Sequence, residues 1–426
     1  MPRDRLEALQ LERLNTVLRR TYDNVSLYRK KFDEAGISPR VDSLTELADI
    51  PFTVKDDMRS QYPYKMFAAS KRDIVRVHAS SGTTGQITVV GYTHGDIQSW
   101  SDLMARTLVS AGATPDDVVQ VAYGYGLFTG GLGVHYGSER LGCVTIPISG
   151  GNTRRQVQIL VDFGVTVLAC TPSYSLLIAE TAEEMGLDVR TLPLRLGVFG
   201  AEPWSENMRV QIEKHLGITA IDIYGLSEVL GPGVASECTK QHGLHVNEDH
   251  FLIEIVDPDT LRPVPDGQAG EVVFTTLTKE GIPVVRYRTR DISRIIPGEC
   301  ACGRTFRRME RITGRTDDMI IVRGVNVFPS QIEQILAGIP GVAPHYQVVL
   351  GKRGSMDTVE VHVEVAPELA FDEVRELEEL QRKVRGEIES ALTVSIGVRL
   401  VEPRSIERSE GKARRVLDLR AEQQEV

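Results

Sequence analysis

The sequence predicts an α/β protein in two parts. One is a large N-terminal domain of mixed and parallel sheets with helices and a β subdomain; the other is a small α+β C-terminal domain. Three observations carry this. Apolar, β-branched runs at 118–122, 144–148, 166–170, 194–199 and 220–224 alternate with helix-length segments, the pattern of strands lying parallel in one sheet. From 251 to 296 the texture changes to short strands at 251–256, 270–275 and 284–287, punctuated by turns such as Pro265-Asp266-Gly267. After about residue 317 a third pattern begins, so the chain divides into 1–316 and 317–426.

Residues 6–35 read as helix, with Leu6, Leu9, Leu14, Val17 and Leu18 in a stripe and Gly36 and Pro39 ending it. A short helix at 44–47 stops at Pro51, and another begins over 52–58 with Thr53 as its N-cap. Residues 75–79 and 87–92 form a hairpin around Ser80-Ser81-Gly82-Thr83-Thr84-Gly85-Gln86. Its two glycines and four hydroxyls can turn N–H and O–H donors toward one anion, phosphate above all. An ordinary surface turn has the same composition. The Walker A pattern is excluded, because no Lys-Ser or Lys-Thr follows Gly85 and a strand comes next. A helix over 96–111 ends at Gly112, and 123–133 is rich in glycine and aromatics. The C-terminal unit reads as strands at 346–350 and 359–365, a helix at 371–392 and a last strand at 398–401. In that helix Val374, Leu377, Leu380, Val384, Ile388 and Leu392 share one face.

At 426 residues the chain is too long for one simple core. With 41% apolar and 25% charged residues it has a soluble globular composition. A net charge of −10 argues against nucleic acid as a partner, so an anionic ligand must be met by local donors. Residues 1–7 carry no apolar signal-peptide core, and no run approaches a membrane span. The odd count of five cysteines argues against a disulfide framework and for a reducing compartment, the cytoplasm.

Further motifs sit at strand ends, where open α/β sheets bind ligands. In Tyr224-Gly225-Leu226-Ser227-Glu228 the glycine allows close backbone approach, the tyrosine offers a flat face to a purine and Glu228 can hold a divalent cation. Gly200-Ala201-Glu202-Pro203 is a second such turn. Asp291, closing Tyr287-Arg288-Thr289-Arg290-Asp291, can accept two hydrogen bonds from ribose hydroxyls, while the arginines beside it fit plain ion pairs equally well. Near the C-terminus Gly411 gives a tight turn that presents Lys412, a flexible point charge suited to phosphoryl or carboxylate oxygen; a solvated basic run is the plainer reading of that segment alone.

Taken together, Ser-Ser-Gly-Thr-Thr-Gly, Tyr-Gly-x-Ser-Glu, Tyr-Arg-Thr-Arg-Asp, Gly-Arg-x-Asp-Asp and the late Gly-Lys occur in one fixed order. In this the chain resembles the adenylate-forming (AMP-binding) superfamily. Residues 122–131, 311–320 and 322–329 resemble its phenylacetate–CoA ligase family, and the likeness runs from about 5 to 420. The resemblance implies ATP-dependent ligation of an aryl acid to coenzyme A through an acyl-adenylate, by an adenylate-forming fold with a mobile C-terminal domain. It implies that Ser80, Ser81, Gly82, Thr83, Thr84 and Gly85 hold the β- and γ-phosphates of ATP. Gly200, Ala201, Glu202, Pro203, Tyr224 and Gly225 would wall the adenine. Ser227 would lie near the α-phosphate, Glu228 on Mg²⁺, Asp291 on the ribose and Arg315 beside ribose and phosphate. Asp317 would be the hinge, and Lys412 would bridge carboxylate and α-phosphate. The superfamily usually has lysine after the second loop glycine; Gln86 stands there. A homodimer is the implied assembly.

A separate signal lies in Cys300-Ala301-Cys302, with Cys238 and His245 upstream. Three thiolates and an imidazole make a closed tetrahedral zinc site. The C-x-C spacing is unusual for zinc, free thiols fit the same residues, and His242 rivals His245. Cys143 and Cys170, in strand contexts, read as core. The acid-binding pocket is expected over 123–136, with Tyr123, Phe128 and Tyr136 as candidate lining; core packing explains them as readily.

Overall fold

The computed structural model describes residues 1–80, 87–317, 320–322, 325–353, 356–367, 374–392 and 396–420. Its centre is a nine-stranded sheet. Five strands run parallel: Thr219–Leu226, Leu196–Gly200, Val167–Cys170, Val118–Val121 and Val144–Ile146. Four more continue it antiparallel beyond Thr219–Leu226, ending at Ile295–Ile296.

The inner parallel strands Val167–Cys170 and Leu196–Gly200 are buried on both faces, which is why they read as continuous apolar runs, whereas Val144 on the edge strand is exposed. Strand periodicity sends alternate side chains to opposite layers. Val167 and Ala169 join one core with the N-terminal helices. Leu168 and Cys170 join another, with Tyr174, Phe199 and Trp204. Cys170 is thus a core residue, 0% exposed.

The β subdomain is a four-stranded antiparallel sheet of Phe251–Val256, Gly270–Thr276, Tyr287–Ser293 and Gly314–Arg315. A separate core collects residues from Ile320 to Val398 around a four-stranded sheet. There Met356–Val365 and Val342–Arg353 pair antiparallel, flanked by parallel Gly397–Val401 and Val416–Asp418. The helix Val374–Leu392 packs on it through Leu380, Val384 and Ile388, each contributing roughly 1.5–3 kcal/mol by burial. Its start at 371–373 lies outside the described residues. This unit is seated on the large domain by polar contacts to Glu180: His345 Nε2 lies 2.8 Å from its Oε1, and Arg408 Nε lies 3.4 Å from its Oε2.

Three local expectations are corrected. The first helical stretch is two helices, Arg3–Asn24 and Ser26–Ala35, because Val25 adopts extended backbone and is fully buried. The helix Lys55–Ser60 is capped at Val54, not Thr53; Thr53 is buried and donates its hydroxyl to the Val285 carbonyl at 2.6 Å. The strand expected at 284–287 instead begins at Tyr287, since Arg286 has φ +45° and breaks the extended run. Among the described residues no helix is long and apolar enough to cross a membrane.

Candidate active site

The carboxyl ends of the parallel strands converge on one cleft, as parallel connectivity demands. Leu196–Gly200 runs into Ala201 and Glu202, Val167–Cys170 into Thr171, and Thr219–Leu226 carries Tyr224 and Gly225 before Ser227 and Glu228. Backbones meet closely here. A Cβ on Gly225 would lie 1.9 Å from the Gly231 carbonyl oxygen, and one on Gly200 2.4 Å from that of Ile223. Ala201 has φ +73°, a strained conformation for a residue with a Cβ. Pro203 is exposed beside it.

Tyr224 and the β subdomain share a polar knot. The Tyr224 hydroxyl donates to Asp291 Oδ2 at 2.6 Å, and Arg315 Nη1 donates to Asp291 Oδ1 at 2.6 Å. Sheet register causes the second contact, because Asp291 and Arg315 are cross-strand partners. Arg315 turns its Nε and Nη2 to the Asp317 carboxylate at 2.9 and 3.0 Å. Burial raises the pKa of Asp291 and Arg315 pulls it back; burial also raises that of Tyr224. Asp291 lies inside its strand rather than at its end.

Ser227 Oγ lies 3.1 Å from Thr129 Oγ1. Glu228 is buried, and its Oε1 meets Lys55 Nζ at 3.5 Å. Lys279 Nζ donates to the Glu228 carbonyl at 3.2 Å, and burial lowers its pKa to about 8. Ser80 ends the first hairpin strand opposite Thr88. Ser81, Gly82, Thr83, Thr84 and Gly85, with Gln86, lie outside the described residues.

Lys412 comes to this cleft from the C-terminal unit. Its ammonium stands 5.9 Å from the Phe128 ring. Burial lowers its pKa, while Glu202, Asp291 and Glu228 raise it by their charge. The turn around it is held from the large domain. Thr171 Oγ1 and Ser173 Oγ donate to the Gly411 carbonyl at 2.9 and 3.3 Å, and Ala413 N–H donates to Glu202 Oε2 at 2.8 Å.

Of the proposed pocket residues, Tyr123 is buried in the main core with its hydroxyl 3.4 Å from the Val198 carbonyl. Phe128 is 36% exposed, and Tyr136 accepts a 2.8 Å hydrogen bond from Arg76.

Sequence reasoning passed over Lys55, Lys279, Thr171 and Ser173. The last two had a signal. Thr171 N-caps a helix with proline at its first position, directly after a parallel strand. Lys279, in a Lys-Glu-Gly turn, carried none.

A second cluster lies apart. One ligand-type atom from each of Cys238, His245, Cys300 and Cys302 falls within 4.8 Å of the others. Cys238 and Cys300 sulfurs are 3.8 Å apart, and Cys302 Sγ is 3.4 Å from His245 Nε2. His242 instead lies beside Arg308, its Nδ1 2.8 Å from Nη1. Burial lowers the His245 pKa to about 4 and raises that of Cys238 to about 11.

The AMP-binding enzyme family model matches residues 8–277, and the model of the AMP-binding enzyme C-terminal domain matches 324–420. A phenylacetate–coenzyme A ligase of Escherichia coli (strain K12) is 51% identical over 98% of this chain and 95% of its own. The chain belongs to the phenylacetate–coenzyme A ligase family. Another ligase of that name, from Thermus thermophilus, is 48% identical over 99% of this chain and 98% of its own. Among solved structures, a 2-hydroxyisobutyryl-CoA ligase in the postadenylation state is 29% identical, with TM-score 0.92 over 98% of this chain and 90% of that one. The same ligase in its thioesterification state, at 30% identity, scores 0.73 over 100% of this chain and 92% of that one. The arrangement of this ligase-family chain is therefore nearer the first of those two states than the second.

Proposed function

We propose that this protein joins phenylacetate, or a close aryl acid, to coenzyme A at the expense of ATP, releasing AMP and pyrophosphate. The observation that carries the reading is the placement of Lys412 at the carboxyl ends of the parallel strands, its ammonium 5.9 Å from the Phe128 ring and its neighbours Gly411 and Ala413 hydrogen-bonded to Thr171, Ser173 and Glu202. A carboxylate is a poor acyl donor because oxide is a poor leaving group. In the first step a carboxylate oxygen attacks the α-phosphorus, the bond to the β-phosphate bridging oxygen breaks, and pyrophosphate departs. In the second the CoA sulfur attacks the acyl carbon, the carbon–oxygen bond to AMP breaks, and the thiol proton is lost to solvent.

Both partners of the first step are anions, so positive charge must be brought to the transferring phosphoryl group. Lys412 supplies part of it; Mg²⁺, which Glu228 would hold, would supply further charge neutralisation when bound. Magnesium commonly takes one or two carboxylates together with substrate phosphates, and the single buried Glu228 carboxylate fits that role. Ser80, Ser81, Gly82, Thr83, Thr84 and Gly85 receive the β- and γ-phosphates, and Ser227 lies near the α-phosphate. Gly200, Ala201, Pro203, Tyr224 and Gly225 wall the adenine; Asp291 and Arg315 take the ribose. Tyr123, Phe128 and Tyr136 form the acid pocket. The domains divide at 316/317, and the small one swings about Asp317 between the steps. We place the enzyme in the cytoplasm as a homodimer, with no nucleic acid or membrane partner.

Pyrophosphate exchange over a panel of aryl acids tests the reading. Exchange is expected with phenylacetate, and a CoA thioester once CoA is added. No exchange with any acid refutes it; exchange without thioester means that a different acceptor takes the acyl group.

Cys238, His245, Cys300 and Cys302 hold one structural zinc. Zn–S bonds of about 2.3 Å in a tetrahedron put sulfurs about 3.8 Å apart, the Cys238–Cys300 separation. Metal analysis of protein purified without chelator is expected to find one zinc per chain, falling sharply in Cys300→Ser with a lower melting temperature. No zinc in the wild type overturns the site.

A further inference from the structure

The geometry points to Glu202 as a positioning residue: its carboxylate clasps the small domain so that Lys412 is delivered to the reacting groups. This rests on the adenylation reading above but gives Glu202 a different task from lining the adenine.

The carboxylate is two-handed. Oε1 accepts the N–H of Ser173 at 2.8 Å, and Oε2 accepts the N–H of Ala413 at 2.8 Å. Ser173 stands in the first turn of the helix Pro172–Glu184, whose N-terminus favours a negative charge. Ala413 follows Lys412. On the other side of Lys412 the Gly411 carbonyl accepts from Thr171 at 2.9 Å and Ser173 at 3.3 Å. Residues 411 and 413, on either side of the lysine, are thus both tied to the large domain. The turn is also tied to itself, since Ser409 Oγ donates to the Lys412 carbonyl at 2.8 Å.

Two consequences follow. The direction of the Lys412 side chain is set by backbone bonds across the domain boundary, so an error of about 1 Å there costs about 10²-fold in rate. Because those bonds join the two domains, they exist only while the small domain sits as it does here. Adenylation depends on them and CoA attack does not. Charge adds to position, because Glu202 is the leading influence that raises the Lys412 pKa against burial.

The test separates the half-reactions. Glu202→Ala is expected to lower kcat for phenylacetate-dependent pyrophosphate exchange about 10²-fold, with KM for ATP and acid within about twofold of wild type. CoA attack on supplied phenylacetyl-adenylate is expected unchanged. Glu202→Gln, which keeps one carbonyl acceptor, falls between the two. Thr171→Val serves as a second variant: it loses the Thr171 bond to Gly411 together with the helix N-cap to Tyr174, and is expected to lose about 10-fold in exchange kcat with thioester formation from supplied adenylate unchanged. A raised KM for ATP at unchanged kcat makes Glu202 a nucleotide contact and overturns the clasp. Equal losses in both half-reactions overturn it as well. If the wild type exchanges, Lys412→Ala does not, and Glu202→Ala matches wild type, the clasp falls and the adenylation reading stands. If the wild type exchanges with no acid, the reading falls and the clasp with it.

Discussion

Lys412→Ala is expected to lower acid-dependent pyrophosphate exchange by about 10²–10³-fold, the usual range for losing one preorganised electrostatic contact to a developing charge. The lysine reaches the cleft from the C-terminal unit, where desolvation lowers its pKa and the charges of Glu202, Asp291 and Glu228 raise it. Its removal is expected to slow the adenylation step alone, so CoA attack on a supplied acyl-adenylate is expected to stay near wild type. Lys412→Arg is not expected to rescue, because a planar fork does not replace a compact point charge on a flexible stem. Exchange and single-turnover thioester formation, measured side by side, check this; exchange untouched in Lys412→Ala overturns the assigned role.

Gly225→Ala is expected to cost about 3 kcal/mol of stability, the upper end for overpacking, and about 10²-fold in exchange activity. The added Cβ would stand 1.9 Å from the Gly231 carbonyl oxygen and 2.7 Å from Pro232 Cα. These are backbone atoms of the next strand and cannot rotate away. The strand must separate from its partner, which moves Tyr224, Ser227 and Glu228 together. The opposite sign is expected of Gly386→Ala. Gly386 is exposed in the helix Val374–Leu392, and a Cβ there meets nothing within 4 Å. Alanine in that helix adds about 0.5–1 kcal/mol. Paired thermal melts check both; equal shifts would show that packing at Gly225 does not decide the outcome.

Much of the fold was legible because periodicity survives in sequence. The inner parallel strands Val167–Cys170 and Leu196–Gly200 are unbroken apolar runs, since both faces are covered. The last long helix shows its stripe at Leu380, Val384 and Ile388 because its other side faces water. Less legible was whatever depends on what lies opposite. Gly231–Ser236 is a central strand, yet Gly-Pro-Gly reads as a turn. Val25 breaks a helix only because the core takes it in. His245 was separated from His242 by strand register, which sets His245 against Arg308 and turns it to Cys302.

What the amino-acid order determined alone was the layered α/β plan and a set of motifs whose residue types suit nucleotide chemistry, for those follow from local period and side-chain character. Tertiary structure decided who meets whom. Asp291 is engaged by Tyr224 and Arg315 because two sheets are joined there, across sequence separations that no local pattern encodes. Glu202 reads in sequence as one residue of a strand-end turn. Only the seating of one domain on the other brings it to Ala413, where its second oxygen finds the N–H next to Lys412.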